Sequence, residues 1–105
     1  MANGSFQPTT ADLDERIRGE IGEELRPLLE MGFAVTSSMY SETAFGDFYV
    51  DLRRGADELR IIRDRNEYML RGDEADLKRA GLWRVFDSKA EFFTVLTRYV
   101  TGGDE

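Results

Sequence analysis

From Phe45 to Leu70 the chain reads FGDFYVDLRRGADELRIIRDRNEYML, with apolar and charged residues alternating across two turn signals. A period of two sends successive side chains to opposite faces, so this stretch predicts strands. Gly55 and Asp64-Arg65-Asn66 divide it into three, and links this short permit only antiparallel hairpins. Upstream, Phe33 to Tyr40 predicts a further strand, Phe33 and Val35 facing the core between Ser and Thr residues. Ser41 to Ala44 is then the first turn.

Cross-strand charge pairing gives a register. Arg53 opposite Glu58 places Leu52 against Leu59, Asp51 against Arg60 and Val50 against Ile61. In the next hairpin a three-residue turn, with Asn66 left-handed, sets Arg63 against Glu67 and Ile61 against Met69. A two-residue turn would oppose Asp64 to Glu67 and Arg60 to Arg71, so the longer turn is expected. One face then carries Phe48, Val50, Leu52, Leu59, Ile61 and Met69. The other carries Tyr49, Asp51, Arg53, Glu58, Arg60, Ile62, Tyr68 and Leu70.

Leu13, Ile17, Ile21, Leu25 and Leu28 form one helical stripe ahead of the sheet. Thr9 or Thr10 is the expected N-cap, Pro27 a kink or end, and Gly32 the C-cap. Gly72 to Gly81 predicts a charged loop or short helical turn, and Leu82–Phe86 a short strand or extended lead-in. Ser88 and Glu91 make a capping box for a helix over about Lys89–Val100, with Phe92, Val95, Leu96, Tyr99 and Val100 on its apolar face. The expected fold is α+β and two-layered: N-terminal helix, three- or four-strand antiparallel meander, C-terminal helix. A flexible segment over 1–9 precedes a single domain over 10–101, and 102–105 form an acidic tail.

Composition narrows the chemistry. The chain has no His and no Cys, which removes Ser-His and Cys-His nucleophiles, thiolate metal sites and disulfides. Its two lysines, Lys78 and Lys89, fall on expected surfaces, and carboxylates alone remain for acid–base work. Asp47 and Asp51 share one side of a strand, but Asp51 is better explained as the partner of Arg60. Asp73-Glu74-Ala75-Asp76 spells a helicase-family motif without the GxxxxGK[ST] loop that the motif works with, so it predicts a solvated acidic loop. Its spacing matches no Ca²⁺ loop either. The expectation is a non-enzyme with no catalytic residue, metal or cofactor.

Net charge is −7, which argues against nucleic acid or an anionic membrane as partner. Residues 12–51 hold ten acids and three bases, whereas 53–98 hold eleven bases and nine acids, so the meander keeps a locally basic character. No apolar run approaches a membrane span, and MANGSFQPTTADLDE lacks the basic and apolar regions of a secretory signal, so the expected compartment is the cytoplasm.

Tyr and Arg around exposed aliphatics are the types enriched at interface hot spots. The candidate partner-binding residues are Tyr49, Arg53, Arg60, Ile62 and Tyr68. The face they form is open to three readings: a partner protein such as a toxin or regulatory protein, cover by the N-terminal or 72–86 segment, or a homodimer. The alternative function is a small-molecule-binding or regulatory module, with Phe45, Trp83 and Phe86 as candidate pocket residues.

The run LRIIRDRNEYML followed by W-x-V-F-D and a C-terminal helix resembles small uncharacterised bacterial domains of the immunity-protein type. The resemblance spans about residues 33–100 and rests on Arg63-Asp64-Arg65, Trp83 and Asp87. It implies an inhibitor that neutralises a bacterial toxin by binding; separately, the charge of the acidic first helix offers a negative surface to a basic partner. The resemblance marks fold positions and transfers no site residue.

Overall fold

The structure, a computed structural model, describes residues 13–42 and 46–102. Along the chain lie α1 (Glu15–Glu30), β1 (Ala34–Ser41), β2 (Asp47–Arg54), β3 (Asp57–Asp64), β4 (Glu67–Arg71), α2 (Glu74–Arg79) and α3 (Lys89–Thr101). The four strands form one antiparallel sheet in the order β1-β2-β3-β4. Helices α1 and α3 cover a single face of it, giving the two-layer α+β architecture that the pattern predicts. The expected flexible lead-in at 1–9 lies outside the described residues, as do most of the acidic tail and part of the turn over Ser41 to Ala44.

Helix α1 begins at Glu15, and the expected N-caps Thr9 and Thr10 lie outside the described residues. Asp14 is the N-cap, its carboxylate accepting from the Arg16 amide at 2.8 Å, while Leu13 lies ahead of the helix and is still buried. Ile17, Ile21, Leu25 and Leu28 are fully buried along its inner stripe. The helix does not end at Pro27 but runs through it to Glu30. Proline there removes only the bond to the Glu23 carbonyl, on the exposed side, while Leu25 and Leu28 hold both flanks in the core. Gly32 (φ 101) follows the C-cap Met31. Phe33 N–H donates to Leu28 at 3.1 Å and Gly32 N–H to Leu29 at 3.0 Å, the double closure that a left-handed glycine permits.

The β2–β3 hairpin has the expected register: Arg53 opposes Glu58, Leu52 Leu59, Asp51 Arg60 and Val50 Ile61. The β3–β4 hairpin does not. Its link has two residues, Arg65 (φ 56) and Asn66 (φ 71), and it opposes Asp64 to Glu67, Arg63 to Tyr68, Ile62 to Met69, Ile61 to Leu70 and Arg60 to Arg71. The three-residue turn was the wrong choice, and a slip of one residue exchanges every side chain of β4 between faces. Tyr68 and Leu70 are therefore core residues, each 3% exposed, and Met69 faces outward. Burying two such side chains is worth roughly 1.5–3 kcal/mol each, whereas an unfavourable exposed charge pair across a sheet costs about 0.2–1 kcal/mol. Burial wins. The Arg65 amide, in its left-handed conformation, donates to Asp47 Oδ1 at 2.8 Å, which pins the link to β2.

Strand β1 contains a bulge between Val35 and Ser37. Val35 faces the core opposite Leu52, but beyond the extra residue the phase reverses. Ser38 and Tyr40 now lie on the helix side, while Ser37 and Met39 turn outward. Between the layers Tyr68 stacks on Phe92 with centroids 5.5 Å apart, edge-on to Phe93 at 6.1 Å and Phe48 at 6.5 Å. After β4 the chain forms α2 and returns beside β4 as an irregular segment. One bridge ties it down: Tyr68 and Phe86 exchange two backbone hydrogen bonds of 2.7 Å. Ser88 caps α3 by accepting from the Glu91 amide at 3.1 Å, but the Glu91 carboxylate turns to Arg84 at 3.0 Å instead of closing the expected box.

This register makes opposite demands on neighbouring residues. Tyr68→Ala should destabilise by about 3–5 kcal/mol, the range for removing a buried aromatic ring, and Met69→Ala by less than about 1 kcal/mol. Urea unfolding of the two variants checks this. The reverse ranking would restore the three-residue turn.

Candidate protein-binding face

The outer face of the sheet is built from alternate residues of all four strands. The pairings align Met39 with Tyr49, Tyr49 with Ile62 and Ile62 with Met69, so one apolar residue from each strand falls in a single row across the sheet. The antiparallel bridge between Tyr68 and Phe86 extends the row, because it brings Val85 beside Met69 and Trp83 beside Arg71. Met39 is 57% exposed, Val85 47% and Trp83 42%; Tyr49, Ile62 and Met69 are half-buried by their neighbours. Among the described residues no helix lies over this row, since α1 and α3 pack on the opposite face.

Charged rows flank it. Toward one end of the strands stand Asp47, Asp64 and Glu67; toward the other stand Asp51, Arg60 and Arg71, with Arg53 and Glu58 beyond. Arg60 is the organising cation. Its guanidinium lies 3.9 Å above the Tyr49 ring and meets Asp51 at 2.7 and 3.1 Å through two nitrogens. Such a fork fixes geometry as well as charge. The Ser37 hydroxyl donates to the same carboxylate at 2.6 Å. Arg60, and after it Ser37, holds the Asp51 carboxyl below its ordinary pKa, although partial burial opposes them. Arg53 sits at the hairpin end, 3.7 Å from Glu58 and donating to the Gly55 carbonyl at 3.2 Å.

Of the five expected partner-binding residues, Tyr49, Arg53, Arg60 and Ile62 come together on this face. Tyr68 does not: it lies inside the core, where its hydroxyl donates to Glu20 at 3.2 Å and burial raises its pKa. Three members of the row were missed. Met69 follows from the shorter turn, and Val85 from the return segment that only the bridge places. Met39 had no signal at all, because alternation without the bulge assigns it to the core side. The alternative pocket residues fall in different places. Phe45 lies outside the described residues, Phe86 is buried on the helix side, and Trp83 is exposed beyond the β4 edge.

The acidic string after β4 has structural work. Asp73 caps α2 by accepting from the Asp76 amide at 3.0 Å, Glu74 pairs with Lys78 at 2.8 Å, and Asp76 pairs with Arg79. Among the described residues no group of three or more acids is placed to hold a metal ion, and no helix is long and apolar enough to cross a membrane. Comparison with protein-family models, with curated proteins and with solved structures returns no match to this chain.

A double-mutant cycle of Asp51→Ala and Arg60→Ala should give a coupling of about 0.5–1 kcal/mol at neutral pH. Because the folded-state pKa of Asp51 is lowered, this coupling is complete above the unfolded value of 3.8 and disappears as pH falls through the folded one. Chemical denaturation between pH 7 and pH 2 checks it. A coupling that grew on acidification would contradict the fork.

Proposed function

We propose that this chain is a non-enzymatic protein-binding domain and that its binding surface is the outer face of the sheet. The observation that carries this reading is the row Met39–Tyr49–Ile62–Met69–Val85, over which no helix lies among the described residues. Apolar side chains aligned in register across the sheet, with no packing layer over them among the described residues, add nothing to the core between sheet and helices. Methionine, tyrosine and arginine are the types that interfaces enrich at their centres, and the row with Arg60 supplies all three. The charged rows on either side form a polar rim that would orient a partner.

The residue inventory supports binding over catalysis. Histidine and cysteine are absent from the chain, and the carboxylates singled out in the sequence serve ion pairs, caps and a hairpin link. An immunity-type inhibitor of a bacterial toxin in the cytoplasm is the specific form that the resemblance implies. A regulatory protein partner fits the same surface.

Photo-cross-linking tests the class without naming the partner. Benzoylphenylalanine placed at Met39 or Val85, in cells that express the chain natively, should give discrete cross-linked protein species. The same group at Arg26, on the exposed side of α1, should give none. Equal labelling from Arg26, or no protein adduct from either row position, would remove the face from consideration.

A further inference from the structure

Resting on that reading of the face, the geometry points to its occupant: a second copy of this chain, packed sheet against sheet about a two-fold axis that runs along the apolar row. The argument comes from the order of charges along two strands. The outward residues of β3 are Arg60, Ile62 and Asp64, and those of β4 are Glu67, Met69 and Arg71. Each strand thus reads one charge, an apolar residue in the row, then the opposite charge.

A two-fold axis along the row keeps every strand over its counterpart and reverses its direction. Ile62 then meets Ile62 of the second copy, and Met69 meets Met69. Arg60 meets Asp64 and Arg71 meets Glu67, each pair occurring twice by symmetry. Along β3 and β4 the patch is therefore complementary to itself. A two-fold axis along the strands instead would lay acidic row on acidic row. Strand β1 offers neutral Ser37, Met39 and Ser41, which suit either arrangement. Strand β2 offers Asp47, Tyr49 and Asp51, a like-signed set that brings Asp47 near Asp51 across the axis, and the Arg60 fork on Asp51 keeps a cation at that contact. Reversed strands lie within the aligned class of sheet packing, in which twist turns the two sheets by roughly 30°.

Size sets the strength. Four strands and the return segment bridged to β4, about 4.8 Å apart and about five residues of about 3.4 Å deep, make a plane of roughly 400 Å² per copy. That is about half of a standard interface, so the dimer should form in the micromolar to tens-of-micromolar range. Methionines at the centre help, because flexible thioethers repack across a two-fold axis without fixed shape complementarity.

The experiment is sedimentation equilibrium of the full chain from about 1 to 300 µM. The wild-type mass should rise from 12.0 kDa toward twice that value. Ile62→Glu should hold it at the monomer throughout, with its circular-dichroism melt showing that it folds. Glu67→Arg alone and Arg71→Glu alone should each weaken self-association at least tenfold, since each opposes like charges across the axis. An equimolar mixture of those two variants should recover the dimer, because every opposed pair is again of opposite sign.

A wild-type chain that stays monomeric to 300 µM overturns the proposal. So does a dimer indifferent to Ile62→Glu, or a mixture that fails to recover. If the chain is monomeric while Met39 cross-links to a different protein, the dimer falls and the protein-binding reading stands. If neither self-adduct nor foreign adduct forms, both fall.

Discussion

The burial of Tyr68 is the constraint on which the outer face depends. Its ring stacks on Phe92, meets Phe48 and Phe93 edge-on, and leaves it 3% exposed between the sheet and α3. The backbone of the same residue exchanges two hydrogen bonds with Phe86, so one position sets both the phase of β4 and the placement of the return segment. Its hydroxyl donates to Glu20 of α1, and burial, reinforced by the Glu20 charge, raises the phenol pKa well above its usual range. The Lys89 ammonium, at the start of α3, reaches the Glu20 carbonyl at 2.8 Å and the Glu24 carboxylate at 3.6 Å. The two helices and the fourth strand thus converge on one buried aromatic ring. With Tyr68 inside, the period of two leaves Glu67, Met69 and Arg71 no choice but the outer side.

The bulge in β1 has the same effect at the opposite edge. Without an extra residue near Thr36, the strand's alternation would carry Met39 under α1 and expose Tyr40. The reversal puts Tyr40 against the core, where Arg16 covers its ring at 4.2 Å, and lets the Ser38 hydroxyl accept from the Asp14 amide at 3.1 Å. These contacts tie the start of α1 to β1 and compensate for the ladder bond that a bulge disrupts. Met39 is released outward as a consequence. The apolar row is therefore the product of two phase decisions, one at each side of the sheet, both driven by packing on the inner face.

This explains which features could be read from the chain alone. The β2–β3 register was legible because burial and charge agree there: pairing Arg53 with Glu58 also buries Val50, Leu52, Leu59 and Ile61. At β3–β4 the two criteria conflict. The charge criterion chose a three-residue turn, but exposed ion pairs are too weak to outweigh Tyr68 and Leu70. Weighing each register by what it buries would have found the shorter link, since Arg65 and Asn66 can be held left-handed by the Asp47 carboxylate. The bulge was illegible in principle, because Thr36 differs from the serines around it by nothing that marks an extra residue. Tyr49, Arg53, Arg60 and Ile62 were found because their strands pair locally. Met39 needed the one irregularity that the pattern hides.

Net charge appears at first to oppose self-association, since each copy carries −7. The location of that charge decides its weight. Helix α1, on the far side of the sheet from the outer face, holds five Glu (15, 20, 23, 24 and 30) and three Arg, a net −2 of that charge. A layer separation of about 10 Å exceeds the Debye length of about 8 Å at physiological ionic strength, so repulsion between the two helix layers is largely screened. Pairs in contact at the interface are screened far less. Local order therefore sets the register of the contact: Arg60 with Asp64 and Arg71 with Glu67 act at contact, while the acids of α1 act across both sheets and solvent.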